Sequence, residues 1–198
     1  MSMVRVPGAC TEIIFKGMRF LITERPSDIG MAAYLEELKR YKVVVVVRVC
    51  EATYSPDKLV NDGIQVIDLS FPDGQPPPQQ VIDAWFDLLR SRFSGVGNPE
   101  GCVAVHCVAG LGRAPVLVAL ALMELGMKYE DAVELIRTKR RGAINAKQLS
   151  FLERYKPKSR LKIRNGHSCF IISISAILTK QTQNISDLTY IATSAKRN

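Results

Sequence analysis

The fold is decided by residues 103–115, VAVHCVAGLGRAP. An apolar run ends at His106, a loop with two glycines follows, and an apolar helical stretch begins at Ala114. This pattern predicts a buried strand that turns through a tight loop into a helix N-terminus, where backbone N–H groups converge on one anion. Glycines let the backbone curl closely around that anion. The predicted phosphate-binding residues are Val108, Ala109, Gly110, Leu111, Gly112 and Arg113.

Cys107 begins this loop, so we expect it to lie at the floor of the anion site. The amide dipoles that bind phosphate also favour a thiolate, and a thiolate beneath a bound phosphate is positioned for in-line attack. Arg113 adds a planar guanidinium that can hold two phosphoryl oxygens. We expect His106 to play a supporting role by hydrogen bonding to the loop and orienting it. Cys107 is therefore the predicted nucleophile and Arg113 the predicted phosphate clamp.

The leaving group of a phosphate ester needs a proton, and Asp73 is the candidate donor. It lies in a loop rich in helix breakers, residues 71–78 (FPDGQPPP), between a predicted strand and a predicted helix. Loops that follow parallel strands meet at the same edge of the sheet, so Asp73 and Cys107 should lie close together. Alone, Asp73 would be an ordinary turn residue and Cys107 an ordinary core thiol. Together with Arg113 they predict a phosphoester hydrolase that uses neither a metal nor a cofactor.

Short apolar runs alternate with stretches of helical period along most of the chain, which predicts an α/β fold with a central, mostly parallel sheet flanked by helices. The strand at 43–49 is too apolar to have a solvated face and should be buried within the sheet. The other predicted elements are strands at 18–22, 65–69 and 102–106, and helices at 31–40, 79–92, 114–125, 129–138 and 147–155.

The length of 198 residues and mass of 22.0 kDa predict one domain. We place it at 1–165, followed by a flexible extension at 166–198. The net charge of +8 is uneven: residues 137–164 hold eleven basic residues and one acid, which leaves −2 for the rest. Such a block can attract phosphates or be a solvated helix face. It has no aromatic residue beyond Tyr155 and Phe151 to stack bases, which disfavours nucleic-acid binding.

The five cysteines form no C-x-x-C pair and the chain has only two histidines, which disfavours structural zinc. An odd cysteine count without a signal peptide predicts a cytoplasmic protein. The apolar run at residues 169–178 is too short for a transmembrane helix. Cys50 closes the strand at 43–49, so it is either a core thiol or a redox partner of Cys107; Cys10 and Cys102 are interpreted as structural.

Four stretches carry a resemblance to a known family: HCVAGLGRAP at 106–115, KYEDAVELIRTKRRGAINAKQL at 128–149, MRFLIT at 18–23 and VVRVCEATY at 46–54. Over residues 10–166 the chain resembles the phosphatases of regenerating liver, the type IVA protein tyrosine phosphatases, which have a dual-specificity phosphatase-like fold. The resemblance implies Cys107 as nucleophile, Asp73 as general acid, Arg113 as clamp and Cys50 as regulatory disulfide partner. It also implies slow turnover, possible homo-oligomers and binding to CBS-domain magnesium transport mediators of the membrane.

Three positions decide how far this resemblance extends. Ala114 stands where most cysteine phosphatases have Ser or Thr, so no hydroxyl assists the sulfur leaving group and phosphocysteine hydrolysis should be slow. Pro72 replaces the first of two acids that the family usually has, and should stiffen the acid loop. Cys169 begins a prenylation-like motif, but 26 residues follow it, so the lipid should be absent. The expected membrane contact is then peripheral and electrostatic, at the inner face of the plasma membrane or endosomes.

Four functions fit these features to different degrees. The leading prediction is a protein tyrosine or dual-specificity phosphatase that acts on phosphoproteins through a phosphocysteine. The alternative is a pseudo-phosphatase-like binding module that docks CBS-domain transport mediators. A phosphoinositide phosphatase would suit the basic tail, but the loop has no basic residue besides Arg113. A rhodanese-like sulfurtransferase also has a cysteine loop, but it would need no acid such as Asp73.

Overall fold

The computed structural model of this chain describes residues 10–93 and 101–161. Over those residues the chain forms five strands and six helices, in the alternating order that the sequence predicts. In chain order they are β1 (Thr11–Phe15), β2 (Met18–Thr23), α1 (Met31–Arg40), β3 (Val43–Arg48), α2 (Asp57–Asn61), β4 (Gln65–Asp68), α3 (Gln79–Phe93), β5 (Cys102–His106), α4 (Arg113–Glu124), α5 (Tyr129–Lys139) and α6 (Ala146–Arg154).

The five strands form one sheet in the order β1-β2-β5-β3-β4. The pair β1–β2 is antiparallel, whereas the pairs β2–β5, β5–β3 and β3–β4 are parallel. The predicted mostly parallel sheet is therefore confirmed. β5 is the middle strand and all five of its residues are buried, and β3 lies inside the sheet as its run of valines predicts. Because the four strands are parallel, the loops after β3, β4 and β5 all leave from one edge.

Helices cover both faces of the sheet, which gives a three-layer α/β/α arrangement. Val103 and Val105 of β5 belong to a core that α3, α4, α5 and α6 complete, with Trp85 fully buried in it. Cys102 and Ala104 face the opposite way, into a smaller core with α1 and α2. The alternation of side chains along each strand thus supplies both cores, and it holds the middle strand rigidly beneath the loop that follows it.

The boundaries differ from the predicted ones by at most one residue, but two elements are missing from the prediction. The short helix α2 is one, and the edge strand β1 is the other. β1 and β2 are joined by a tight turn in which both Lys16 (φ 46°) and Gly17 (φ 80°) are left-handed. Gly126 follows the end of α4: its φ is 96° and its N–H donates to Met123 O at 2.9 Å.

No helix among the described residues is long and apolar enough to cross a bilayer. The predicted extension at 166–198, with Cys169 and its prenylation-like motif, lies outside the described residues, and so does the predicted domain boundary at 165.

Candidate active site

The loop of residues 107–112 connects the carboxyl end of β5 to the N-terminus of α4, as the sequence predicts. Cys107 is 3% exposed and forms the floor, and Gly112 is the N-cap of α4. Val108 and Leu111 are exposed at the rim, at 45% and 40%. The nucleophile candidate thus lies at the base of a helix N-terminus, where the helix dipole is positive.

Every carbonyl oxygen of Val108–Leu111 accepts a hydrogen bond from outside the loop. Arg25 N donates to Val108 O at 3.2 Å, and Ile144 N donates to Leu111 O at 2.7 Å. Arg140 supplies the two in between, from Nη2 to Ala109 O at 3.0 Å and from Nε to Gly110 O at 2.6 Å. Since a trans peptide holds its N–H opposite its C=O, the N–H groups of the following residues point away from these donors, into the loop.

Gly110 is the point where the loop most needs a glycine. Its φ is +65°, and a Cβ there would lie 2.5 Å from Thr23 O and closer still to Arg140 Nη2. Left-handed φ and close backbone approach both disfavour any side chain at this position. Position 110 therefore requires a glycine for two separate structural reasons, its left-handed φ and the close approach of neighbouring atoms.

Arg113 is 2% exposed and contacts the acid loop. Its Nη1 donates to Phe71 O at 3.0 Å, and its Nε lies 3.1 Å from Asp73 Oδ1. The approach to Asp73 is too bent for a hydrogen bond, so among the described residues the Nε–H of Arg113 is a buried donor without an acceptor. A second carboxylate, Glu51, lies at 3.9 Å from Nη1. The guanidinium is thus held at one nitrogen and has donor capacity left for a ligand.

The acid loop is also held from α6. Asn145 Nδ2 donates to Gly74 O at 3.1 Å, and Gln148 Nε2 donates to Gln75 O at 3.3 Å. Asn145 and Gln148 form a capping box that fixes the start of α6, so both amides are oriented by the helix they begin. Asp73 itself stays 78% exposed. Sequence reasoning missed this pair, although the Asn-x-x-Gln spacing at 145–148 is a recognisable capping signal.

His106 lies beneath the loop in a buried network, as expected of a supporting residue. Its Nδ1 is 3.3 Å from Cys107 O and its Nε2 is 2.8 Å from Tyr54 Oη. A carbonyl can only accept, so Nδ1 carries the proton and Nε2 accepts from the tyrosine hydroxyl. Burial lowers the pKa of His106 to about 4, so the imidazole is neutral at neutral pH.

Tyr54, which the sequence analysis did not single out, is itself fixed by Arg48. The Arg48 guanidinium lies 4.9 Å from the centre of the Tyr54 ring and donates to the Tyr54 carbonyl at 2.8 Å. Two further bonds, at 2.6 and 2.7 Å, join Arg48 to Asp68 at the end of β4. These contacts connect three neighbouring strand ends under the phosphate loop, which makes the floor of the site rigid.

Cys50 follows β3 and is buried, 1% exposed, and Val49 N beside it donates to His106 O at 2.9 Å. The two chain segments that carry Cys50 and Cys107 therefore continue side by side past the strand ends. Both thiols are free, and burial raises the pKa of Cys50. Cys102 is fully buried on the other face of β5, and its pKa is raised to about 12 by burial, which suits a structural thiol.

Cys107, Asp73 and four of the six predicted phosphate-binding residues line one open cavity of about 300 Å³, whereas Gly110 and Arg113 are not part of its lining. Ala114 lies behind it, fully buried in the first turn of α4. The cavity is lined by Asp73, Gly74, Cys107, Val108, Ala109, Leu111, Gly112, Gly142 and Asn145.

Part of the predicted basic block is not surface charge. Arg140 is 8% exposed and bonds to the loop, and Arg137 donates to the carbonyls of Ala143 and Ile144. Arg160 lies over the Phe86 ring and pairs with Asp83. A solvated helix face is therefore the wrong interpretation for Arg140 and Arg160, whereas Arg137 is exposed even though its guanidinium bonds to the backbone. Arg140 shares the buried face of Ile136 at a spacing of four residues, which was the signal available in the sequence.

This chain is similar to named phosphatases. A family model described as "Swiss Army Knife protein, DSP-PTPase phosphatase domain" matches residues 14–166. The chain is 66% identical over 161 residues to the PRL-1 phosphatase of Drosophila melanogaster, covering 80% of this chain and 90% of that protein. It is 56% identical over 160 residues to protein tyrosine phosphatase type IVA 3 of Bos taurus, covering 81% and 91%.

The chain is also similar in fold to solved phosphatase structures. A putative protein tyrosine phosphatase from Leishmania major is 41% identical, with a TM-score of 0.66 over 74% of this chain and 98% of that one. A structure of kinase associated phosphatase is 18% identical, with a TM-score of 0.62 over 80% of this chain and 99% of that one, and this likeness concerns the fold alone. The predicted phosphatase fold is confirmed.

Proposed function

Because the chain belongs to the protein tyrosine phosphatase type IVA family, and is therefore a protein tyrosine phosphatase, we propose that it hydrolyses phosphoproteins through a phosphocysteine on Cys107. The observation that carries this proposal is the buried Nε–H of Arg113, which has no hydrogen-bond acceptor among the described residues. It lies 3.1 Å from Asp73, which lines a cavity together with Cys107. A buried donor of this kind is costly unless a ligand completes it. A phosphoryl oxygen would do so.

In the first step the Cys107 thiolate attacks phosphorus, and the bond from phosphorus to the tyrosine oxygen breaks. The inward amides of residues 108–113 and the Arg113 guanidinium hold the three equatorial oxygens, whose charge grows in the transition state. Asp73 donates its proton to the departing phenolate oxygen. The products of this step are phosphocysteine, a neutral tyrosine and the Asp73 carboxylate.

In the second step a water molecule attacks phosphorus, Asp73 accepts its proton, and the Cys107 thiolate leaves. A hydroxyl at position 114 could donate to the leaving sulfur, but Ala114 has none. The leaving thiolate is then stabilised by the helix N-terminus alone. This step should limit turnover, and the phosphocysteine should accumulate.

Asp73 and Arg113 form an ion pair at 3.1 Å that competes with catalysis. A phosphate dianion is a stronger partner for the guanidinium than a carboxylate that is largely exposed. Substrate binding would therefore release Asp73 from Arg113 and leave it over the leaving group, while the bonds from Asn145 and Gln148 keep the acid loop near the site.

Cys50 supports a second proposal, regulation by oxidation. Peroxide would oxidise the Cys107 thiolate to a sulfenic acid, and the Cys50 thiol would then form a disulfide with it and release water. The two thiols are buried at the ends of the neighbouring parallel strands β3 and β5. Such a disulfide would block the nucleophile and protect it from further oxidation, and a thiol reductant would restore it.

The basic tail supports a weak attraction to anionic membranes from the cytoplasmic side. Lys156 and Lys158 are exposed after α6, whereas Arg160 is engaged with Asp83. Two lysines contribute little alone, so binding should be salt-sensitive. Docking to CBS-domain magnesium transport mediators and self-association stay predictions that rest on the resemblance.

The proposed function is tested with a phosphotyrosine peptide and two matched cysteine variants. Cys107→Ser should lose activity completely. Cys102→Ser, at the start of β5 and on the opposite face of the sheet, should keep it as long as it folds. Activity that persists in purified Cys107→Ser, or that disappears equally in folded Cys102→Ser, would contradict the role of Cys107.

A further inference from the structure

The connection between α5 and α6 contains a strained residue that touches the phosphate loop. Ile144 has a φ of +65°, which is rare for a β-branched side chain. Its N–H donates to Leu111 O at 2.7 Å, and its side chain is 3% exposed. Strain at a residue that is packed tightly and bonded to a functional loop points to a functional constraint.

We propose that Arg137, Arg140 and Ile144 form a brace that sets the orientation of the phosphate-loop peptides, and that Arg140 is a positioning residue for phosphoryl transfer. The inference rests on the proposed function of residues 107–113. Arg140 and Ile144 together bond three consecutive carbonyls of that loop, those of Ala109, Gly110 and Leu111. Each bond fixes one peptide plane, and with it the N–H of the next residue.

Arg140 suits this task because of its shape. Two nitrogens of one rigid guanidinium reach two successive carbonyls, at 3.0 and 2.6 Å, while Nη1 reaches Thr11 Oγ1 on β1 at 3.1 Å. The guanidinium is therefore anchored to the sheet on one side and to the loop on the other. A lysine is a point charge on a flexible stem and cannot hold two carbonyls in fixed geometry.

The charge of Arg140 adds a second effect. Its hydrogen bonds pull electron density toward the Ala109 and Gly110 oxygens, which makes the N–H groups of Gly110 and Leu111 stronger donors. These are the groups that would hold the transferring phosphate. Arg140 would therefore act on the reaction through the loop without touching the substrate.

Arg137 completes the brace one helical turn earlier. It donates to Ala143 O at 3.0 Å and to Ile144 O at 2.8 Å, which holds the strained turn in place. The turn then presents Ile144 N to Leu111 O. Both arginines come from the last turn of α5 and its cap, so one helix end supports the loop directly through Arg140 and indirectly through Arg137.

The test compares Arg140→Met and Arg140→Lys with a matched control, Arg141→Met. Arg141 is the exposed neighbour, so its substitution removes the same charge from the same turn. Three quantities are measured on each full-length variant: kcat/KM with a phosphotyrosine peptide, the inhibition constant of orthovanadate, and the urea midpoint of unfolding. Vanadate binds at the phosphate site. If Arg140 only stabilised the fold elsewhere, its substitution would leave the inhibition constant of vanadate unchanged.

We expect Arg140→Met to lower kcat/KM and weaken vanadate inhibition by about 10- to 100-fold each, within the range for loss of oxyanion donors. Arg140→Lys should fall between Arg140→Met and wild type, and Arg141→Met should stay within about threefold of wild type, as for surface substitutions.

Folded Arg140→Met with wild-type vanadate inhibition and a reduced urea midpoint would overturn the inference, because Arg140 would then be a structural tie only. If Arg140→Met does not fold, Arg140→Lys is used instead, and wild-type vanadate inhibition in folded Arg140→Lys would likewise overturn the inference. A wild-type enzyme that vanadate does not inhibit would instead overturn the proposed phosphate site, and the brace with it.

Discussion

The phosphate loop and the acid loop face each other across one cavity, but they are held very differently. All four carbonyls of Val108–Leu111 accept bonds from donors outside the loop, and Cys107 is buried. The acid loop is held by three bonds, from Arg113, Asn145 and Gln148, while Asp73 remains 78% exposed. The difference separates a rigid half that binds the phosphoryl group from a lightly tethered half that delivers a proton.

The largest effect should come from breaking the rigid half at Gly110. In Gly110→Ala the new Cβ would overlap Thr23 O and Arg140 Nη2 at a φ of +65°, so the loop must move. We expect kcat/KM to fall by about 10³-fold, comparable to the loss of an oxyanion-hole donor. The measurement is steady-state hydrolysis of a phosphotyrosine peptide.

Gly63→Ala is the matched control, because Gly63 also has a positive φ of +79° but has nothing within 4 Å of its would-be Cβ. It should cost about 1 kcal/mol of stability and leave kcat/KM unchanged. Equal losses of activity in the two variants would mean that backbone strain alone, and not contact with the loop's supports, explains Gly110.

The second-largest loss of activity should come from the acid loop, the lightly tethered half. Asp73→Asn removes the proton donor but leaves the phosphate loop intact, so kcat/KM for a phosphotyrosine peptide, which reports on phosphocysteine formation, should fall by about 10²-fold. An ester of a more acidic phenol needs less protonation and should be affected much less. Kinetics with both substrates provide the check.

Glu51→Gln serves as the comparison for Asp73→Asn, because Glu51 is the other carboxylate near Arg113, at 3.9 Å. Glu51→Gln should lower kcat/KM less than Asp73→Asn does. A larger loss in Glu51→Gln, with the same dependence on the leaving group, would move the acid assignment from Asp73 to Glu51.

A third prediction concerns the pH dependence of the rigid half. The pKa of His106 is lowered by burial from 6.5 to about 4, so the unfolded state binds more protons than the folded state between these values. The contribution of neutral, buried His106 to the free energy of unfolding should therefore be complete above pH 6.5. It should decrease as the pH falls toward 4. The contribution of this one group is roughly 2–4 kcal/mol.

Urea unfolding of wild type, His106→Asn and His167→Gln at several pH values isolates this contribution. His106→Asn should have a flatter profile than wild type over that range, and His167→Gln, the other histidine, should keep the wild-type slope. A wild-type slope in His106→Asn would show that other groups cause the acid sensitivity.

The smallest effect should come from the tether of the acid loop. Asn145→Ala removes the bond to Gly74 O and also the N-cap bond that Asn145 accepts from Gln148 N, and each neutral hydrogen bond contributes about 1 kcal/mol. We expect kcat for the phosphotyrosine peptide to fall about threefold to fivefold with little change in vanadate inhibition. Weaker vanadate inhibition in this variant would mean that the two halves are not separable.

The same contrast explains what the sequence could predict. The phosphate loop is a local feature, because strand, glycines, Arg113 and helix start are contiguous, so the sequence predicts a loop between β5 and α4, where the structure has one. The position of Asp73 followed from a topological rule, that loops after parallel strands share one edge. The identity of the fold class followed from the alternation of apolar runs with helical stretches.

The supports of the loop could not be predicted in this way, because they come from distant parts of the chain. Arg140 looked like surface charge within a basic block, and only its spacing from Ile136 hinted at burial. Tyr54 reaches His106 across 52 residues. The edge strand β1 was missed because its turn, Lys16-Gly17, lacks the Asn-Gly or Asp-Gly signal of tight hairpins.

The central claim is tested most directly by trapping the covalent intermediate. Wild-type protein is mixed with a phosphotyrosine peptide, quenched within the first turnover, digested and analysed by mass spectrometry. The mechanism predicts a phosphate on the peptide that contains Cys107, in an amount that persists because Ala114 gives no help to the second step. Hydrolysis of the peptide at a normal rate with no phosphate on Cys107 at any time would contradict it.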